Sequence, residues 1–594
     1  MHFCKALMKR RTYAALFVAL AGPVSAVAQQ ITLRPDGGAE YRWDASGNIT
    51  GQGHLVTSTP GTFTGADVAG LIGATTFYSQ GYTGTRAIAS NIEAGHVWDG
   101  HESLSHATSR TNDASAPSST FVTPAYDRHA TRVAMMIGGR STAPGNLYQQ
   151  GIAYGATLRS GATATSWTGS AYSLSFNATS TSIANPYASN VSGFGTAHVI
   201  NSSWGATSTS GSAEAGGTDI RTMIIDSLAN QRRFTTSVVS AGNSGATSDP
   251  MVGAPGSGYN SITVGALQNN GANVYSSVAS FSSRGPQDYR QPGLTVLAAT
   301  ARRAAVDIVA PGTSLTSAHY GGQSGGNDPS LSGSSNSPGN NLYAGGLAGT
   351  SYSSPIVAGG VALMHDAALA LNLPQDARDG RVIKANLLNA AAKIPGWNNG
   401  QTAHSNGNGG VVTTQALDFV SGAGALDLTR TYDQFLSGVT DITGTTGGST
   451  SETIGWDYGI VSRNGAAKND YVINTPLSGE FRVTLSWFRE RTYSSSSLQT
   501  DVGMANLDLQ VWDSTFTNLV SESLSIYNTV EHLTFNLPTD GLYGIRVKYT
   551  ENLFGSMNSE EYGLAWWGTA VPEPGTAAAL LALLSAGLMR RRGA

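Results

Sequence analysis

From Thr85 to about Asp427, short β-rich apolar runs alternate with helical patterns, and this alternation limits the possible fold more than any other feature of the chain. His198-Val199-Ile200-Asn201-Ser202-Ser203 and Thr236-Ser237-Val238-Val239-Ser240-Ala241 are apolar enough for buried strands. Helical patterns follow His129 and Ser354, and another covers Gly380 to Ala392. Strands alternating with helices imply a parallel sheet covered on both faces, an α/β architecture. The Gly/Ser/Asn-rich stretch from Ser317 to Gly346 reads as a long surface loop. Past Asp427 the period changes to two. Glu480–Trp487, Leu507–Trp512 and Tyr543–Tyr549 alternate apolar with polar, with turns such as Asp540-Gly541 between runs. That pattern predicts an antiparallel β-sandwich, with the boundary near Gly438.

The ends of the chain are of another kind. Lys5, Lys9, Arg10 and Arg11 precede an apolar run from Tyr13 to Ala21, then Ala26-Val27-Ala28. Nine apolar residues span only ~14 Å of helix against a ~30 Å bilayer core, so the segment reads as a signal peptide cut before Gln29. At the other end, Val571-Pro572-Glu573-Pro574 leads into an apolar run and then Arg590-Arg591-Arg592. The domains expected are residues 1–28 signal peptide, 29–84 N-terminal segment, 85–437 α/β domain, 438–570 sandwich and 571–594 tail.

Composition removes several function classes. With 34 Lys and Arg against 38 Asp and Glu, the net charge of −4 excludes a strongly basic nucleic-acid binder. The single cysteine, Cys4, excludes a disulfide framework and a cysteine-ligated metal. Charged residues make up 12% of the chain and hydrophobic ones 40%, which argues against a disordered or coiled-coil protein.

Three segments carry chemistry. Gly349-Thr350-Ser351-Tyr352-Ser353-Ser354-Pro355 precedes an apolar helix pattern, which sets Ser351 at a helix N-terminus with backbone N–H groups nearby. His129-Ala130-Thr131-Arg132-Val133-Ala134 opens a helix, and an imidazole is the right base for a hydroxyl near neutral pH. Ser240-Ala241-Gly242-Asn243-Ser244-Gly245 ends a strand, and the Asn243 amide suits donation to an oxyanion. Each residue alone has an ordinary structural role: an N-cap, a helix surface, a turn. Their occurrence together and in order points to nucleophilic catalysis.

These segments resemble the subtilase (subtilisin-like serine protease) family. The Ser351 segment is similar to its Gly-Thr-Ser-x-x-x-Pro box, and the His129 segment to its His-Gly-Thr-His-Val-Ala box, with Ala130 and Arg132 as departures. Gly151–Ala156, Val199–Gly205, Ser280–Pro286 and Asp307–Gly312 are further similar segments, so seven ordered boxes span residues 85 to 430. The resemblance implies a subtilisin-like parallel sheet and hydrolysis of peptide bonds through an acyl-enzyme. In it Ser351 is the nucleophile and His129 the base, while Asn243 and the Ser351 N–H form the oxyanion hole. The family's aspartate is missing from its usual Asp-Thr/Ser-Gly box. Setting Gly95 on the family glycine puts Glu93 in its place, and the related sedolisins use a glutamate. Asn91, Asp99 and Asp127 are the alternatives.

The sandwich resembles the jelly-roll domain that follows many subtilase catalytic domains. That domain sometimes holds calcium, for which Asp501, Asp508 and Asp513 offer oxygens; a solvated acidic edge is preferred and no cofactor is expected for the chemistry. The C-terminal tail resembles the PEP-CTERM sorting signal of Gram-negative bacteria, which implies processing by an exosortase and a secreted or cell-surface protein. The expectation is a secreted serine endopeptidase acting on proteins or peptides with a Glu-His-Ser triad. The alternative is a catalytically inactive binding or adhesion protein of the same fold.

Overall fold

The computed structural model describes residues 55–571, apart from 59–62, 113–124, 143–148, 171–172, 207, 209–211, 246–251, 272, 294–300, 321–341 and 437–446. The segments expected as signal peptide and, from Pro572 on, sorting tail lie outside the described residues, as does most of the segment joining the two expected domains.

The centre is a twisted parallel sheet. Its strands are β1 (Ile88–Glu93), β2 (Ser109–Asn112), β3 (Thr157–Ala162), β4 (Val199–Ser202), β5 (Thr236–Ser240), β6 (Ile262–Gln268), β7 (Ser277–Val278) and β8 (Ile308–Pro311). In space they run β7-β6-β5-β4-β1-β3-β2, with β8 also on β6; every pairing is parallel except β6 with β7. β4 and β5 are buried along their whole length and β6 along all but its last residue, which explains why they read as continuous apolar runs.

Helices cover the sheet: α1 (Arg128–Gly138), α2 (Ser180–Ala188), α3 (Ile220–Gln231), α4 (Thr350–Ala370) and α5 (Gly380–Ala390), with α6 (Leu428–Leu436) beyond. Of the 21 residues of α4, all but the last two are buried, so it is the axis of the core rather than an amphipathic cover. It begins at Thr350, earlier than the helical pattern after Ser354 suggests. Pro355 therefore sits inside it, and the Ser351 carbonyl receives no bond from that position. Asp366, also on α4, accepts the backbone N–H groups of Gly84, Thr85 and Arg86 at 2.9, 3.2 and 3.0 Å and so anchors the lead into β1.

The stretch expected as one long loop is organised at its ends: Leu315–Ala318 pairs antiparallel with Tyr343–Leu347. Backbone pairing between segments 25 residues apart carries no local sequence signal, which is why composition alone reads as loop.

The C-terminal half has the expected antiparallel character. Lys468–Trp487 crosses from one layer to the other: its first half pairs with Gly541–Phe554, its second lies between Val530–Asn536 and Ser559–Ala570. Two short strands from before the expected boundary, Thr402–Ala403 and Val411–Thr413, extend the same sheet through a parallel pairing with Leu519–Ser523. The cores also merge. Trp456, Tyr458, Val530 and Ala565 belong to the same buried cluster as the α4 residues Ile356, Val357 and Val361.

Candidate active site

Glu93 is the last residue of β1, and its carboxylate is 1% exposed. Asp127 caps α1, its side chain accepting the N–H groups of His129 and Ala130 at 3.3 and 3.0 Å. The cap holds His129 in the first turn, with its ring at the carboxyl end of β1. There His129 Nδ1 lies 3.1 Å from Glu93 Oε2. The second oxygen, Oε1, accepts the Ser203 N–H at 2.8 Å, so the carboxylate is held from two sides.

The three alternatives are engaged elsewhere. The Asn91 amide donates to the Ala130 carbonyl at 3.0 Å. Asp99 pairs with Arg110 and accepts the Tyr126 hydroxyl at 2.8 Å. Asp127 is the helix cap.

Electrostatics tie the pair together. Burial raises the Glu93 pKa above the ordinary carboxylate value, and attraction to His129 and the bond from Ser203 recover only part of that cost. Burial alone would lower the His129 pKa. The charge and hydrogen bond of Glu93, assisted by Asp127, outweigh it, so the imidazole pKa is raised. With Nδ1–H donated to Glu93, Nε2 carries the lone pair.

Ser351 is the second residue of α4, in the first turn where main-chain N–H groups have no intrahelical acceptor. Its hydroxyl donates to the Ser203 carbonyl at 3.1 Å. Gly349 precedes the helix with φ +154°, and a Cβ there would stand 3.6 Å from Asn243 Nδ2. Asn243 follows β5 through Gly242, whose φ is +99°. Thr350 orients the amide: its N–H and hydroxyl both donate to Asn243 Oδ1, at 2.9 and 3.0 Å. The Asn243 NH₂ is then the outward-facing donor, and Asn243 and Ser351 together border a cavity of about 160 Å³. Ser203, Trp204, Gly205, Gly242, Gly253 and Ala254 line it, with no charged side chain in its described wall.

The sequence marks Ser203 only as part of the similar segment Val199–Gly205. Its backbone in fact contacts both ends of the constellation, the Glu93 carboxylate through its N–H and the Ser351 hydroxyl through its carbonyl. Thr350 was not singled out either; a hydroxyl directly before the nucleophile, at the mouth of a glycine turn, was the available signal. The departures from the histidine box also acquire partners: the Ala130 carbonyl accepts Asn91, and Arg132 Nη2 lies 3.2 Å from His319 Nδ1.

In the sandwich, Asp501 is clamped by Arg489 and Arg491. Asp508 receives Lys548 at 3.3 Å as well as the Thr550 hydroxyl, and Asp513 closes its own turn through the N–H groups of Thr517 and Asn518.

The parallel sheet and a serine, an imidazole and a carboxylate at its carboxyl end define an α/β protein with a hydrolase-like constellation. The model of the subtilase family matches residues 46–416, well over half of the chain, and the protein belongs to that serine-protease family. Among curated proteins there is no match. Similar solved structures include a serine protease of Aeromonas sobria, 13% identical over 82% of this chain and 88% of that one, with TM-score 0.41. Another is the prenylagaramide maturation protease PagA, 18% identical over 61% of this chain and 99% of that one, with TM-score 0.38.

Proposed function

We propose that this protein is a secreted serine endopeptidase that cleaves peptide bonds with a Glu93-His129-Ser351 triad. The observation that carries the reading is the contact of His129 Nδ1 with the buried Glu93 carboxylate, since it leaves Nε2 free to take a proton. In the first half-reaction Ser351 Oγ attacks the scissile carbonyl carbon and its proton passes to His129 Nε2. Glu93 balances the imidazolium that forms. The oxyanion is met by Asn243 Nδ2 and the Ser351 N–H, and collapse expels the amine with the proton from Nε2. Water repeats the sequence on the acyl-enzyme and regenerates Ser351.

The Ser351 hydroxyl must leave the Ser203 carbonyl to reach the imidazole. A main-chain N–H of a bound peptide is the natural replacement donor at that carbonyl, so substrate binding itself releases the nucleophile. No cofactor takes part in these steps. Protein or peptide substrates are the partners, with an exosortase-type enzyme acting on the tail. The location is extracellular or on the cell surface of a Gram-negative bacterium.

The test is labelling of the full chain by a serine-reactive fluorophosphonate together with hydrolysis of an unstructured protein such as casein. Wild type should label and hydrolyse, and Ser351→Ala should do neither. A wild-type protein that folds but never labels would favour the inactive binding protein instead.

A further inference from the structure

Beneath the reacting groups lies a second layer of buried polar side chains that the steps above do not use. Asn91, Asn201 and Ser354 are each 0% exposed. Asn91 stands two residues before Glu93 on β1, so both side chains leave the same face of the strand. Asn91 Nδ2 donates to the Ala130 carbonyl at 3.0 Å, and its Oδ1 accepts Asn201 Nδ2 at 3.2 Å. Asn201 Nδ2 also donates to Ser203 Oγ at 3.0 Å, while Asn201 Oδ1 accepts the Ser354 hydroxyl at 2.7 Å.

The ends of this chain of bonds matter. Ala130 follows His129 in the first turn of α1, and Ser354 lies three residues after Ser351 in the first turns of α4. One line of hydrogen bonds therefore runs from the histidine helix to the serine helix. It passes through two neighbouring strands whose register sets Asn91 beside Asn201.

We propose that Asn91 is a positioning residue. Through Asn201 and Ser354 it sets the separation of α1 and α4, and with it the reach from His129 to Ser351. The inference rests on the triad reading above. Its physical basis is the length of the acid. A glutamate has one more rotatable bond than an aspartate, so the carboxylate alone defines the place of α1 less sharply. An apolar residue at 91 would let α1 slide over β1 with little penalty. A buried amide with both ends bonded does not, because any slide strands polar groups without water.

The experiment measures kcat, KM, the pH profile of kcat/KM and the melting temperature of the full chain for Asn91→Leu, Ser354→Ala and the double variant. Rates are expressed per active site titrated with fluorophosphonate. Asn91→Leu should lower kcat per titrated site about 10- to 100-fold, the loss typical of an ångström-scale misplacement, with KM within about twofold. The acid limb of kcat/KM should move to lower pH as the Glu93 contact loosens. Ser354→Ala breaks the far end with a milder change and keeps the test open if Asn91→Leu does not fold; it should lose kcat several-fold. The double variant should lose no more than Asn91→Leu alone, because both changes cut one chain. If both single variants turn over like wild type per titrated site, with only the melting temperature reduced, Asn91 is structural and the proposal fails. Failure of the wild type itself to label would instead remove the triad reading on which it rests.

Discussion

The α/β sheet and the sandwich treat buried polar groups in opposite ways. At the carboxyl ends of β1, β4 and β5 the groups are mostly neutral amides, hydroxyls and main chain around one carboxylate and one imidazole. They leave an Asn243 donor and a Ser351 hydroxyl facing a cavity. Where the sandwich meets the α/β unit, the buried groups are charged and close on themselves. Arg491 joins Asp226 at 2.6 Å, donates to the Gly217 carbonyl at 2.8 Å and reaches Asp501 at 3.2 Å, with both Arg491 and Asp226 out of water. Arg489 lies against Tyr259 and Phe554, 4.7 and 4.9 Å from the ring centroids. Arg381 joins Asp379 at 2.9 Å. The first arrangement leaves a donor and a hydroxyl open to a partner from outside; in the second, the Arg491–Asp226 pair ties the sandwich to the α/β unit. Changes at the cleft should therefore alter rate and spare stability, and changes at the seam should do the reverse.

The sharpest separation is expected for Ser351→Ala. Loss of the hydroxyl should abolish labelling and cost on the order of 10⁶ in kcat, while the melting temperature stays within a degree or two of wild type by calorimetry. A large drop in melting temperature would blur the distinction between the two regions. Next comes Glu93→Gln. An amide keeps the bond from Ser203 but offers N–H to Nδ1, which selects the wrong tautomer, a loss of about 10⁴ in kcat. Little stability should be lost, since burial already works against the charge on Glu93. Asp99→Asn and Asp127→Asn should each cost far less activity. If one of them collapses turnover while Glu93→Gln does not, the acid lies elsewhere.

On the other side of the comparison, Arg491→Met strands Asp226 in the seam. Breaking a buried ion pair from one side typically costs about 3–5 kcal/mol, which denaturant titration should detect. The kcat per titrated site should remain within about twofold. Equal stability would show that the seam is not charge-locked.

The smallest effect is a displacement on the pH axis. Activity requires neutral His129, and its pKa is raised because Glu93 outweighs the burial that would lower it. The acid limb of kcat/KM should therefore have its midpoint above the ordinary histidine value of ~6.5, and Glu93→Gln should move that midpoint down as the maximum rate falls. A midpoint at or below ~6.5 in wild type would mean the carboxylate does not support the imidazolium.

Much of this was legible in the chain because it is local. The glycine before Ser351, the helix pattern after it and the glycine turn at Asn243 belong to segments of six or seven residues whose backbone needs show in their composition. The carboxylate was reachable through the spacing of Gly95, and it is Glu93 that meets His129. The misread features are those decided at a distance. Leu315–Ala318 and Tyr343–Leu347 form strands only because they find one another, and Val411–Thr413 extends the sandwich sheet although it precedes the expected boundary.

The sequence by itself determined which side chains are available for nucleophilic chemistry, and that apolar runs alternating with helical patterns would build a parallel sheet and period-two segments an antiparallel one. The tertiary structure decided which of four polar residues near β1 faces the imidazole, that Ser203 contacts both acid and nucleophile, and that Asn91 reaches Asn201. These depend on strand register and on where α1 comes to rest. A displacement of one residue reverses the face a side chain presents, and no composition or spacing within a single segment records that choice.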